Sequence, residues 1–342
     1  MKIGIVGYSG SGKSTLFEWL TGVAPDPAAA HTGQTAMAPI PDARVEPLRT
    51  IYQPKKVTLA ALELLDTPGL SRTHEGNAAR LAVLREAECL VLVAAAFTGA
   101  DPLTDLASFE EDLLLADLEI VTGRVARLRE SVKKPRPNRD QELAELEALE
   151  PLLTAMEEGQ ALRDLDLSDA QQRATRSFRL LTEKPKLMVV NAADDEDNLD
   201  RFAQKAGPGQ QVVAYRLSLE LELARLPEEE RAELEQDLGL TSSSRDDLLR
   251  AILDVSGYQL YFTAGEKEVR TWLLPVGGTA LDAAAGIHTD LARGFIRAEV
   301  MRCADLIRLG GEREVKAEGL MRQEHKDYVV GDDDILLIRF SV

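Results

Sequence analysis

Nine consecutive residues near the start of the chain, Gly7-Tyr8-Ser9-Gly10-Ser11-Gly12-Lys13-Ser14-Thr15, satisfy the spacing Gly-x-x-x-x-Gly-Lys-Ser/Thr. Glycines at this spacing let the backbone curl until successive N–H groups point inward, an arrangement that suits phosphate oxygens at a helix N-terminus. Gly7, Ser9, Gly10, Ser11, Gly12, Lys13, Ser14 and Thr15 are therefore candidate phosphate contacts. Lys13 is placed to reach the β and γ phosphates, and the Ser14 hydroxyl to meet Mg²⁺.

Two further short motifs follow in the order such a loop requires. Asp66-Thr67-Pro68-Gly69 closes an apolar run. An acid there holds Mg²⁺, and the Gly69 amide senses a γ-phosphate and moves when it leaves. Lys13, Asp66 and Gly69 form the candidate catalytic set. Asn191-Ala192-Ala193-Asp194 follows a second apolar run, where the base is expected. A carboxylate at Asp194 accepts two hydrogen bonds from a guanine edge, which adenine does not offer. A threonine ligand for the metal is sought between the first two motifs. Thr32 and Thr35 both qualify, and Thr35 is preferred, so the metal set is Ser14, Thr35 and Asp66.

Parallel strands must carry these motifs at one edge. The apolar runs Lys2–Val6, Ala60–Leu65, Cys89–Ala95, Lys186–Val190 and Gln211–Leu217 read as buried strands separated by helical patterns. That alternation is the pattern of a doubly wound α/β sheet, whose ligands lie beyond the carboxyl ends of its strands. Between 105 and 183 the strand pattern stops. Leu, Ala, Glu and Arg recur at helical spacing in two arms around Lys133-Lys134-Pro135-Arg136-Pro137, which predicts an inserted helical hairpin with a basic, solvated tip. After a helix from Asp246 to about Gly257, the texture becomes that of a small α+β module ending in the strand Asp334–Phe340. The predicted domains are 1–104 with 184–256, 105–183, and 257–342.

Composition bounds the partners. With 342 residues and a formal charge of −18, the chain is long enough for two or three cores. It is too acidic overall to grip naked nucleic acid through counterion release, and sequence-specific DNA binding is not expected. Cys89 and Cys303 are too few and too far apart for a disulfide framework. The N-terminus enters the glycine-rich loop at once, which leaves no signal peptide to expect, and no apolar run is long enough to span a bilayer. The expectation is a cytoplasmic protein.

With these residues in view, the chain resembles the YchF, or Obg-like ATPase, family nearly end to end. The resemblance rests on the phosphate loop, Pro39–Arg44, Leu114–Glu119, Tyr261–Arg270, Ile287–Asp290, Gly294–Glu299 and Lys326–Val330. It implies a P-loop G domain, an inserted coiled-coil-like helical domain and a C-terminal TGS domain of β-grasp form. It also implies slow triphosphate hydrolysis, often of ATP rather than GTP, and association with ribosomes. The chain departs from the family pattern at several points. Gly10 stands where members carry Asn, which removes a potassium-assisted mechanism that uses that Asn. Asp194 stands where members tend to carry Glu, Arg216-Leu217-Ser218 occupies the ribose and base loop, with Leu217 at its centre, and Val93-Ala94-Ala95-Ala96-Phe97 has lost an arginine.

Leu70 follows Gly69 where many GTPases place a glutamine, and an apolar side chain cannot orient an attacking water. Slow turnover of ATP or GTP follows. A nucleotide-binding ribosome or RNA module with little hydrolysis is the alternative, and a small-molecule kinase a third reading that neither the Asp66–Gly69 motif nor the C-terminal module favours. His74, in the expected second switch, reads as a surface histidine or a contact to water.

Overall fold

A computed structural model describes residues 1–30, 32–99, 101–205, 210–237 and 245–341. Its strands, in chain order, are β1 Lys2–Val6, β2 Gln34–Pro39, β3 Val57–Thr58, β4 Ala61–Asp66, β5 Cys89–Ala95, β6 Lys186–Asn191, β7 Val212–Tyr215, β8 Tyr258–Ala264, β9 Val269–Pro275, β10 Phe295–Arg302, β11 Arg322–Glu324 and β12 Asp334–Phe340. The chain divides into two compact units, one of residues 2–36 and 63–243, the other of residues 37–62 and 244–342 with Met1.

In the first unit the sheet runs β2-β4-β1-β5-β6-β7. β1 pairs in parallel with β4 and β5, β5 with β6, and β6 with β7. Every residue of β5 is buried, as expected of a strand covered on both faces. Register fixes where the motifs meet: Ile5 pairs with Asp66, Val6 with Leu92, Ala95 with Asn191, and Asn191 with Tyr215. The carboxyl ends of five strands thus lie along one edge. The strand expected over Gln211–Leu217 is shorter, because helical geometry begins at Leu217. β2 was not foreseen, since its mixed polar pattern and half-exposed strand carry a weak signal.

Three helices of this unit matter most here: α1 Lys13–Thr21, α2 Pro102–Ser131 and α3 Arg139–Glu157. α2 begins cleanly. Pro102 supplies a pre-set φ at its first position, and the Asp101 carboxylate accepts from the Leu103 amide. Its 30 residues span about 45 Å at 1.5 Å per residue. The first half buries Leu106, Phe109, Leu113 and Ala116 in the sheet's core. In the second half Val121, Val125 and Leu128 pack against Leu149, Leu152 and Met156 of α3. Arg124 with Glu145 and Arg129 with Glu150 strap the arms together. Lys133 and Lys134 lie at the exposed turn between them.

The second unit holds a mixed sheet, β11-β10-β12-β8-β9-β3. β12 is parallel to β8, while β8/β9, β10/β12 and β10/β11 are antiparallel. A helix over Ala280–Ile287 covers one face, burying Ala280 and Ala283 against Tyr261, Leu274 and Val300. The α/β class and the β-grasp-like C-terminal sheet agree with expectation.

Candidate nucleotide site

β1 ends at Val6, and the loop from Gly7 to Gly12 leads directly into α1. Gly12 caps that helix at φ 101°, and a Cβ there would fall 2.3 Å from the side-chain nitrogen of Asn191. Only glycine permits both the left-handed backbone and that approach. The loop encloses an open cavity of about 300 Å³ whose lining includes Ser9, Gly10, Lys13, Ser14, Asp66 and Gly69.

Lys13 is buried at 7% exposure, its Nζ donating to the Tyr8 carbonyl oxygen at 3.1 Å. Burial pulls its ammonium below the ordinary lysine range, and the Asp66 carboxylate opposes that fall. A cation whose main partner is a neutral carbonyl is ready to exchange it for an anion. Ser14 Oγ donates to Asp66 Oδ2 at 2.7 Å, while Asp66 Oδ1 is buried with no hydrogen-bond partner. Burial raises the Asp66 carboxyl above its usual range, against the Ser14 hydrogen bond and the Lys13 charge. Ser11 Oγ, in the phosphate loop, is likewise buried without a hydrogen-bond partner.

The residues present fit a magnesium ion. Mg²⁺ is commonly held by one or two carboxylates with substrate phosphates and waters, and here the Ser14 hydroxyl meets one carboxylate, Asp66, whose second oxygen has no partner. Thr35 is not brought to them. It is exposed on β2, while its neighbour Gln34 lines the cavity and bonds to the Asp26 amide and the Ala24 carbonyl. Successive strand residues face opposite ways, so the two cannot both turn inward in this conformation. Thr32 is also exposed and does not line the cavity.

Gly69 is pressed against the phosphate loop: a Cβ there would lie 2.6 Å from Ser9 Oγ. Leu70 continues the contact, its amide donating to Gly7 O at 3.0 Å and its carbonyl accepting from the Ser9 amide at 3.1 Å. Its side chain is buried in the sheet's core and offers the cavity nothing polar. Thr15 stands half-buried in the first turn of α1, outside the cavity's lining.

Asn191 joins two loops. Its Nδ2 donates to Ser11 O at 3.1 Å and its Oδ1 accepts from the Leu217 amide at 3.3 Å. Leu217 itself is fully buried. Asp194 is exposed and points at no recorded partner among the described contacts. The loop that carries it is pinned by Arg216, whose guanidinium donates to Glu196 O. Two contacts eluded the sequence reading: this Arg216 clamp and a hydrogen bond from Tyr8 to Asp112. Neither has a local pattern, because each joins elements distant in sequence.

Comparison with known proteins is consistent throughout. Residues 258–341 match the family model YchF-GTPase_C, described as a protein of unknown function, and residues 2–122 match MMR_HSR1, described as a 50S ribosome-binding GTPase. The ribosome-binding ATPase YchF of Haemophilus influenzae is 36% identical, covering 100% of this chain and 99% of that protein. The Bacillus subtilis protein of the same name is 33% identical over 99% of both chains. Obg-like ATPase 1 of rice is 33% identical over 100% of this chain and 92% of its own. Among solved structures, the Schizosaccharomyces pombe YchF GTPase superposes with a TM-score of 0.84 at 27% identity, covering 99% of this chain and 97% of that one.

Proposed function

Since the chain belongs to the YchF family, we propose that it is a magnesium-dependent switch that binds ATP or GTP in the cavity beside Lys13 and hydrolyses it slowly in association with the ribosome. The observation that carries this reading is the convergence of Lys13, Ser14 and the unpartnered Asp66 oxygen on an open phosphate-loop cavity.

Loop amides from Ser9 to Ser14 and the Lys13 ammonium neutralise charge on the β and γ phosphates. Ser14 and Asp66 hold the metal, with Thr35 joining only if β2 shifts. A bound Mg²⁺ supplies Lewis-acid stabilisation of charge developing on the transferred phosphoryl group. Gly69 offers its amide to the γ-phosphate, and release of that phosphate frees the loop from Gly69 onward. Asn191 positions the base loop, with Asp194 and the Leu217 backbone at its two sides. Leu70 contributes no water-orienting group, and Gly10 supplies no side chain, so turnover without a partner is slow.

We assign the G domain to 1–104 and 184–256, the helical insertion to 105–183 and the TGS-like module to 257–342. Among the described residues no helix is long and apolar enough to cross a membrane, and we place the protein in the cytoplasm with the ribosome as its partner. A second reading, nucleotide binding with little hydrolysis, is favoured by the buried Leu70 alone. Titration with labelled ATP and GTP, followed by phosphate-release assays with and without ribosomes, tests both. Binding with no release under any condition supports the second reading, and absence of binding overturns the first.

A further inference from the structure

One carboxylate outside the cavity ties the phosphate loop and the segment after Gly69 to the helical arm. Asp112, 4% exposed on the first half of α2, accepts three contacts. Its Oδ1 lies 2.7 Å from His74 Nδ1, and its Oδ2 accepts from Tyr8 OH at 3.2 Å and from Asn77 Nδ2 at 2.9 Å. Tyr8 belongs to the phosphate loop, and its carbonyl holds Lys13. His74 lies in the loop that leaves Gly69, and Asn77 opens the short helix Asn77–Ala82 that follows it.

That loop is braced at both ends. Asn77 Oδ1 accepts from the Ser71 amide at 2.8 Å and Nδ2 donates to Ser71 O at 2.9 Å. Arg72 reaches Asp105, seven residues before Asp112 on α2, and lies over the Tyr8 ring at 4.8 Å from its centre. His74 sits at φ 62°, an uncommon conformation that persists only where surrounding contacts determine it. Burial and the Asp112 carboxylate raise the Tyr8 hydroxyl far above its ordinary range, so it remains a donor. A buried carboxylate that loses one such donor is less well compensated, so each of the three contacts supports the other two.

We propose that Asp112 is a positioning residue for hydrolysis, holding Tyr8 of the phosphate loop and His74 and Asn77 of the second switch in one register from the helical arm. The inference rests on the proposed hydrolysis at this cavity and goes beyond it. With Leu70 buried, the attacking water depends on how the backbone after Gly69 is placed, and Asp112 sets that placement. Because α2 is continuous from Pro102 to Ser131, whatever engages the hairpin acts on the element that carries this carboxylate.

The test uses the full chain as native protein, Asp112→Asn, Asp112→Glu and Tyr8→Phe. Phosphate release with Mg-ATP and Mg-GTP gives kcat and KM, labelled nucleotide gives affinity, and thermal unfolding reports folding. Asp112→Asn is expected to lower kcat on the order of tenfold while affinity changes less than about threefold. Asp112→Glu recovers part of that loss, and Tyr8→Phe, which deletes one hydroxyl, gives a smaller loss in the same direction and serves if Asp112→Asn does not fold. The inference is overturned if native protein turns over nucleotide and the variants match its kcat. It is equally overturned if kcat and affinity fall together with unfolding temperature. No release from the native protein would overturn the proposed hydrolysis itself, and this inference with it.

Discussion

The side-chain amide of Asn191 donates to the carbonyl oxygen of Ser11 at 3.1 Å, joining the base loop to the phosphate loop across 180 residues of sequence. With the Leu217 amide on its other end, this buried side chain holds two nucleotide loops in register. Asn191→Ala leaves buried partners unsatisfied, at a cost of about 1–3 kcal/mol. Urea unfolding is expected to show that loss, and nucleotide titration to show ATP and GTP weakened by a similar factor. Asp194→Ala, on an exposed loop, is expected to leave stability within about 0.5 kcal/mol and to change the ratio of the two affinities.

Ser14 and Asp66 make a second prediction. In Ser14→Ala the hydroxyl that bonds Asp66 Oδ2 is lost, and that oxygen loses its recorded partner as well. Triphosphate affinity in the presence of Mg²⁺ is expected to fall by about tenfold or more, towards the affinity measured in EDTA, an effect on the order of 1.4 kcal/mol. Diphosphate affinity without metal is expected to change little. A native Mg²⁺ dependence in this variant would remove Ser14 from the metal set.

The phosphate loop and the Asp66 motif were legible in the sequence because each is local: glycine spacing dictates a backbone path, and an apolar run ending in Asp dictates a strand end. Asn191 was legible as the end of an apolar run, but its bridge from Ser11 to Leu217 joins segments distant in sequence and was not. Thr35 was not, because whether a residue on β2 faces the cavity depends on strand phase, and Gln34 takes the inward position. Tyr8 occupies an unspecified position of the Gly-x-x-x-x-Gly-Lys spacing, and its partner Asp112 lies 104 residues away. Sequence periodicity gave two helical arms, but not that α2 serves two cores, since a leucine facing the sheet and one facing α3 recur at the same spacing.

Asp117 supplies a stability prediction. Fully buried on α2, it accepts from Arg85 Nη1 at 2.7 Å, the Thr182 amide at 2.8 Å and the Thr182 hydroxyl at 3.0 Å. Asp117→Ala removes the carboxylate facing the Arg85 guanidinium and the acceptor of the Thr182 amide, and the expected loss is about 3–5 kcal/mol. Chemical denaturation monitored by circular dichroism measures it. A change below about 1 kcal/mol would mean that these groups find water instead.

Glu220 gives stability a pH dependence. Burial, and then the Glu235 carboxylate, push its carboxyl up to about 7 against the opposing charge of Arg216. The folded state therefore prefers the protonated form. That contribution is complete below the ordinary carboxylate range and is lost as pH rises through about 7. Glu220→Gln is expected to raise the unfolding temperature at pH 8 and to leave it near the native value at pH 5. Equal shifts at both pH values would contradict the sign.

The most direct test of the whole account is equilibrium binding of labelled ATP and GTP, with Mg²⁺, to the native chain and to Lys13→Ala. Lys13 is the cation at the cavity whose Nζ donates to the Tyr8 carbonyl oxygen. The account predicts that the native chain binds a triphosphate and that Lys13→Ala weakens it by about a hundredfold, or roughly 2.7 kcal/mol, while the fold survives. Unchanged affinity in a folded Lys13→Ala variant would contradict it.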